Sequence, residues 1–209
     1  MRKRWLLTIC IVIYFLLYYL LYVKVFDAQL FQMIFENNSD SVNALYSIYD
    51  KISGLFIVFG ITSVLIRLLV VSLLMYGCYA ATKETLKIRN IKIASFLKCA
   101  LYAESAYILQ SLAQLCRYIN DTPSKISDFS EVPFSLYSLM GSEEMDTWIT
   151  YSLNTLNLFE IIYCIVLFLA FEMTMKLTKK DALNLLTITY FPIFLLSYIL
   201  HVGILFLTM

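Results

Sequence analysis

Three ionisable residues, Arg67, Glu104 and Glu160, lie inside long apolar stretches of this sequence. A charged side chain is costly in hydrocarbon, so each of them needs a partner or a hydrated surrounding. An arginine and a glutamate that meet there can form an interhelical ion pair, and a connected series of such groups can carry ions or protons. The sequence therefore offers two chemistries, a structural clamp and a polar path.

The segments that carry these residues have the length of membrane-spanning helices. Hydrophobic residues make up 61% of the 209-residue chain, whereas soluble domains contain about half. They are arranged in blocks close to the roughly 20 residues that cross a bilayer. Lipid-exposed backbone must bond within its own segment, and the alternation expected of barrel strands is absent. We predict an all-α polytopic protein, a single membrane domain over 1–209, with transmembrane helices at 5–23, 54–81, 95–116, 153–175 and 183–208.

The charges between these helices predict their direction. Residues 1–4, 82–94 and 176–182 contain more Lys and Arg than Asp and Glu, whereas residues 24–51 and 117–152 contain more Asp and Glu. Cytoplasmic loops are the ones that are rich in Lys and Arg. All basic segments lie on one side of a five-helix topology, so we predict a cytoplasmic N-terminus and a C-terminus outside.

Depth in the membrane suggests which charged residues meet. With a helical rise of 1.5 Å per residue, Arg67 and Glu160 lie about 21–22 Å from the cytoplasmic ends of their helices, and Glu104 lies about 15 Å. We predict an intramembrane ion pair, structural or functional, between Arg67 and Glu160, with Glu104 as the alternative partner. His201 and Glu172 are secondary candidates, and Glu172 is expected to reach headgroups or to pair with Lys176 at i+4.

The remaining sequence shows no pattern for catalysis, cofactor binding or metal binding. The five cysteines are not spaced as CxxC, and the single histidine does not suit the common two-histidine metal sites. There is no Walker loop, HExxH, nucleophile elbow or Gly-rich dinucleotide turn. The net charge of +1 predicts no nucleic-acid partner. We therefore expect a protein that is not an enzyme and that uses no cofactor.

The two outer loops, 24–51 and 117–152, are the best candidates for contacts with partner subunits. Loop 24–51 contains apolar residues at helical spacing between polar ones, which is typical of a short helix on a membrane surface. In loop 117–152, Pro123 and Pro133 break helix and residues 134–140 are apolar again. The alternative is that both loops only pack over the bundle. Trp148, Tyr151 and Tyr163 fit an interfacial aromatic belt.

Four short motifs resemble the Yip1 family of five-helix membrane proteins. They are Leu156-Asn157-Leu158-Phe159 before the fourth helix, the turn Lys179-Lys180-Asp181-Ala182, Pro192 in the fifth helix, and Ile93-Ala94-Ser95-Phe96-Leu97-Lys98 continuing to Ala106-Tyr107. The resemblance covers residues 54–209. The Asp-Leu-Tyr-Gly-Pro segment of the eukaryotic members and a long cytoplasmic N-terminal region are missing, so the chain resembles the bacterial branch more closely.

The resemblance implies a helper of another membrane machine, since some bacterial members are similar to accessory subunits of export ABC transporters. We therefore expect a non-catalytic accessory or assembly subunit in a bacterial inner membrane. Its expected partners are the lipid bilayer and membrane protein subunits, including an ABC permease and ATPase. The alternative is a small transporter or channel that uses a buried path of Glu and Arg residues.

Overall fold

The structure, a computed structural model, describes residues 62–84, 90–120, 131–140 and 145–207, together with four helical residues near the N-terminus, Ile9, Val12, Ile13 and Leu16. The described part of the chain is all-helical and contains no strand, as predicted. The helices in the four continuous ranges are α1 (Thr62–Glu84), α2 (Ile93–Ala103), α3 (Ser105–Asn120), α4 (Leu136–Met140), α5 (Thr147–Thr155), α6 (Leu158–Met175) and α7 (Lys179–Leu207). The predicted outer loop 24–51 and most of the predicted first helix, 5–23, lie outside the described residues.

Three of the described helices, α1, α6 and α7, are long and apolar enough to cross a membrane. They correspond to the second, fourth and fifth predicted spans. Three of the five predicted spans thus match a helix that could cross a membrane by its length and composition. This agreement supports the prediction that the chain is a membrane protein.

The segment predicted as the third span, 95–116, is two helices rather than one. The helix is interrupted at Glu104, whose backbone carbonyl accepts a hydrogen bond from the Tyr107 amide at 3.1 Å. This bond spans three residues instead of four and tightens the backbone locally. The second part, α3, then continues to Asn120, four residues beyond the predicted end.

The fourth predicted span also begins later than expected. Helix α5 ends at Thr155, and Asn157 adopts an extended backbone before α6 begins at Leu158. The Asn157 side chain accepts a hydrogen bond from the Glu160 amide at 2.9 Å. Such a cap satisfies one of the unpaired amides at a helix start, which explains why the helix is interrupted at this residue.

The chain divides into two compact units, and the larger unit comprises residues Ile66–Tyr107 and Phe134–Met209. In it, α2 packs on α6, and α7 packs on both α5 and α6. Helix α2 turns Cys99, Ala100 and Ala103 into the core, and all three are fully buried. Small side chains let two helix backbones approach closely, and this is why α2 lies so near α6.

Aromatic rings fill the core of the same unit on one side of the α2–α6 contact. Phe96 meets Tyr79 at 5.6 Å between ring centroids and Phe171 at 5.9 Å. The Tyr79 hydroxyl accepts a hydrogen bond from the Ile91 amide at 3.1 Å. This bond fixes the chain segment that enters α2.

The smaller unit comprises Met1–Leu65 and Ile108–Pro133. Within it, Arg117 near the end of α3 donates to the Glu131 carboxylate at 2.6 Å. One turn earlier, the Gln114 amide donates to the Tyr118 hydroxyl at 2.9 Å. The ion pair therefore ties the end of α3 to a residue of the predicted outer loop 117–152.

A tight turn joins α6 to α7. Helix α6 ends with Lys176 in the left-handed conformation, at φ 56°. Thr178 precedes α7, and its hydroxyl donates to the Asp181 carboxylate at 2.7 Å and accepts from the Asp181 amide at 3.2 Å. The Thr178 hydroxyl thus caps the first turn of α7, so the basic turn has both a defined end and a defined start.

Candidate functional site

Arg67 of α1 forms an ion pair with Glu104, the residue that interrupts α2 and α3. The guanidinium donates to the carboxylate at 2.5 Å. The Glu104 side chain is only 2% exposed, whereas 40% of the Arg67 side chain remains accessible. The carboxylate is therefore buried in the bundle, whereas the side chain of its arginine partner remains partly accessible.

Glu160 lies in the first turn of α6 and bonds to two tyrosines on other helices. Its carboxylate accepts from the Tyr107 hydroxyl at 2.8 Å and from the Tyr190 hydroxyl at 2.5 Å. Tyr107 belongs to α3 and Tyr190 to α7. Two hydroxyl donors and the positive end of the α6 dipole both favour a negative charge at this position.

Aromatic rings connect the two carboxylates. The Arg67 guanidinium lies over the Tyr107 ring, 4.2 Å from its centroid. The rings of Tyr107 and Tyr163 are 5.0 Å apart, and those of Tyr163 and Tyr190 are 5.1 Å apart. We call this set the Arg–Glu–Tyr cluster: Arg67, Glu104, Tyr107, Glu160, Tyr163 and Tyr190. It joins side chains from α1, the α2–α3 junction, α6 and α7.

Arg67 pairs with Glu104, the alternative partner, and not with Glu160, the first choice. The prediction was based on similar depths of Arg67 and Glu160 in the membrane, but depth does not determine how each helix is rotated about its axis. The arginine side chain is long enough to reach a carboxylate several ångströms away along the bundle. Glu160 is bonded instead by the two tyrosine hydroxyls.

The assignment of Tyr163 to an interfacial belt is wrong, because the side chain is 2% exposed and lies in the core. The tyrosines of the cluster could have been found from a repeat in the sequence. Glu104-Ser-Ala-Tyr107 and Glu160-Ile-Ile-Tyr163 both place a tyrosine three residues after a glutamate, on the same helix face. In the structure a hydrogen bond joins the two repeats, because the Tyr107 hydroxyl of the first donates to the Glu160 carboxylate of the second.

The secondary candidates lie outside this cluster. His201 is exposed on α7, donates from Nδ1 to the Ser197 carbonyl at 2.9 Å and stacks on Tyr151 of α5 at 5.4 Å. Burial raises the pKa of the Tyr151 phenol. Glu172 is half-buried on α6, and its side chain has no hydrogen bond or ion pair within the described ranges, including to Lys176.

The cluster combines two carboxylates with one guanidinium. Arg67 balances Glu104 directly, while Glu160 is bonded to neutral hydroxyls. Among the described residues, no three His, Cys, Asp or Glu side chains come together. The arrangement can clamp four helices, and it also supplies a continuous series of polar groups from Glu104 to Tyr190.

A groove of about 670 Å³ lies beside Glu160. We call it the α4–α6 groove, and its lining is almost entirely apolar: Phe134, Leu136, Leu139, Thr155, Leu156, Asn157, Leu158, Glu160, Ile161, Cys164 and Phe194. Glu160 is the only ionisable carboxylate in this lining, so the groove connects an apolar surface to one end of the cluster.

Comparisons of this chain with protein-family models, curated proteins and solved structures give no match.

Proposed function

We propose that this protein is a five-span bacterial inner-membrane protein that acts as a non-catalytic accessory or assembly subunit of a larger envelope complex, with an export ABC transporter as the first candidate. The observation that carries the proposal is the Arg–Glu–Tyr cluster. Both of its carboxylates are bonded to side chains from other helices. A network of this kind holds a bundle in one arrangement, as a scaffold requires.

The part of the predicted outer loop 117–152 that the structure describes supports a docking role. It contains α5, which packs on α7, and α4, which packs on α5. Ser152 of α5 accepts from the Tyr198 hydroxyl of α7 at 2.9 Å. A loop built from packed helices presents a fixed surface to a partner, so binding costs little ordering entropy.

The resemblance of residues 54–209 to the bacterial Yip1 branch supports the same role. The topology that goes with it has a cytoplasmic N-terminus and a C-terminus outside. In this topology Asp146 lies outside and Lys179 inside. Single cysteines at these positions, in a chain whose native cysteines are replaced, test it with a membrane-impermeant maleimide. Asp146→Cys should react in intact spheroplasts and Lys179→Cys only after permeabilisation; the reverse pattern would overturn the orientation.

Isolation of the tagged chain from its native membrane in mild detergent tests the subunit function. We expect an ATP-binding protein and a permease to co-elute at stoichiometric amounts. Asp146→Arg, on the exposed start of α5, should reduce this co-elution, whereas Lys180→Glu on the opposite predicted side should not. A chain that elutes alone, or only with itself, contradicts the accessory-subunit proposal.

A second candidate function is a small transporter or channel that uses the cluster as a polar path. The observation in its favour is that the cluster is accessible at both ends, through the half-exposed Arg67 side chain and through Glu160 in the groove. Ion flux in proteoliposomes of the pure protein tests this candidate. It requires flux that Glu160→Gln abolishes and that Glu172→Gln, on the same helix but outside the cluster, leaves unchanged.

A further inference from the structure

We propose that the α4–α6 groove binds an amphipathic organic monocation, with its apolar body between α4 and α6 and its positive charge beside the Glu160 carboxylate. This binding site does not depend on the subunit function proposed above. It follows from three properties of the groove: its preformed walls, its apolar lining and the charge at its inner end.

The walls of the groove are held by backbone and side-chain hydrogen bonds. The Leu136 amide donates to the Leu156 carbonyl at 3.0 Å, and the Leu158 amide donates to the Phe134 carbonyl at 3.1 Å. Beneath them, the buried Ser135 hydroxyl donates to Asn154 Oδ1 at 3.0 Å. These bonds attach α4 to the α5–α6 junction, so a ligand enters a site that is already formed.

The size and lining of the groove suit a compact apolar body. Its volume of about 670 Å³ lies within the range of small-molecule sites, roughly 300–1,000 Å³. Phe134 and Phe194 are aromatic, and Leu139 and Ile161 are exposed by 75% and 59%. A bound ligand would cover these exposed apolar side chains. The faces of the two aromatic rings also attract cations.

The charge at the inner end selects a cation. Arg67 bonds Glu104, whereas the donors to the Glu160 carboxylate within the described ranges are two neutral hydroxyls. A carboxylate offers about four lone-pair sites, and the two tyrosines occupy one on each oxygen. A negative charge in an apolar surrounding is stabilised by a positive charge close to it. A monocation in the groove would place a positive charge directly beside Glu160.

Binding of tetraphenylphosphonium tests the site, with tetraphenylborate as a control of the same shape and opposite charge. Both are measured by equilibrium dialysis on the full chain in nanodiscs of zwitterionic phosphatidylcholine, with empty nanodiscs subtracted. We expect saturable binding of one tetraphenylphosphonium per chain and none of tetraphenylborate. Glu160→Gln should weaken binding about tenfold or more, whereas Glu172→Gln should leave it unchanged.

A variant that keeps the charge separates the groove from the carboxylate. Ile161→Trp fills the groove without removing a hydrogen bond of the cluster, so it should also abolish saturable binding. Thermal unfolding of each variant verifies that it is folded. Equal binding of the two ions, unchanged binding to Glu160→Gln, or no saturable binding to the wild-type chain would each overturn the proposal and identify the groove as a crevice for lipid chains.

Discussion

The Arg67 guanidinium meets the Glu104 carboxylate at 2.5 Å across 37 residues of sequence. Glu104 is also the residue at which α2 gives way to α3. The ion pair thus lies at an interruption of the helix, and it couples the geometry of that interruption to the position of α1.

Loss of this pair should destabilise the protein strongly. Arg67→Glu leaves a buried carboxylate opposite a second one, and breaking a buried ion pair costs about 3–5 kcal/mol. Because the Arg67 side chain is partly exposed, we expect the free energy of unfolding to fall by about 2–4 kcal/mol. The exchange variant Arg67→Glu, Glu104→Arg should recover part of this loss in thermal unfolding in mild detergent. An exchange variant no more stable than Arg67→Glu alone would show that the two side chains are not coupled.

The tyrosine hydroxyls on Glu160 should each contribute measurably. Tyr107→Phe and Tyr190→Phe remove one donor from a carboxylate, and hydrogen bonds to charged groups contribute about 1.5–3 kcal/mol. Tyr198→Phe is the matched control, because its hydroxyl donates to the neutral Ser152 hydroxyl and should cost only about 0.5–1.5 kcal/mol. The three variants are compared by thermal unfolding. Equal losses in all three would argue against a charged acceptor at Glu160.

The start of α6 should depend on the Asn157 cap. Asn157→Ala removes the acceptor of the Glu160 amide and should cost about 1 kcal/mol. Because the same side chain donates to the carbonyls of Asn154 and Thr155, the groove wall should also loosen. Faster hydrogen exchange at the α5–α6 junction checks this expectation. Thr187→Ala, which removes a bond within α7, should leave that junction unchanged.

Glycine substitutions in the basic turn should have opposite signs at two lysines. Lys176 has a left-handed backbone, which costs an L-residue about 1–2 kcal/mol and glycine little. Lys176→Gly should therefore stabilise the protein by about 1 kcal/mol. Lys180→Gly removes the same charge inside the first turn of α7 and should destabilise it by about 0.5–1 kcal/mol. Unfolding temperatures that shift in the same direction for both variants would contradict this assignment.

The sequence predicts the long apolar helices better than their interruptions. Helices α1, α6 and α7 follow from the length of their apolar runs, which is a property of each segment alone. The predicted start of the fourth span at residue 153 is wrong, although the sequence contains a signal for the observed start of α6: an asparagine three residues before Glu160, a spacing typical of a helix cap. The interruption at Glu104 changes one hydrogen bond and has no comparable signal, because residues 93–120 contain no glycine or proline that would mark a break.

The partners of the buried charges depend on information that a single segment does not contain. Arg67, Glu104 and Glu160 are identifiable because charged residues are rare in apolar runs. The tyrosines of the cluster cannot be identified in this way: Tyr107, Tyr163 and Tyr190. The chain has 16 tyrosines, and tyrosine is common in membrane proteins. Which of them meets a carboxylate is decided by helix rotation, and rotation depends on which side chains a helix buries, such as Ala100 and Ala103 of α2.

The turn between α6 and α7 constrains how the chain can be assembled. Only Lys176, Leu177 and Thr178 lie between the two helices, a linker of roughly 10 Å when extended and too short to cross a bilayer. Two spanning helices joined by this linker would form an antiparallel hairpin, with the first residue of α6 and the last residue of α7 on the same face of the bilayer. In such a hairpin Glu160 and its partner Tyr190 would enter together, so the carboxylate would receive one of its hydroxyl donors in the same step that brings it into the lipid.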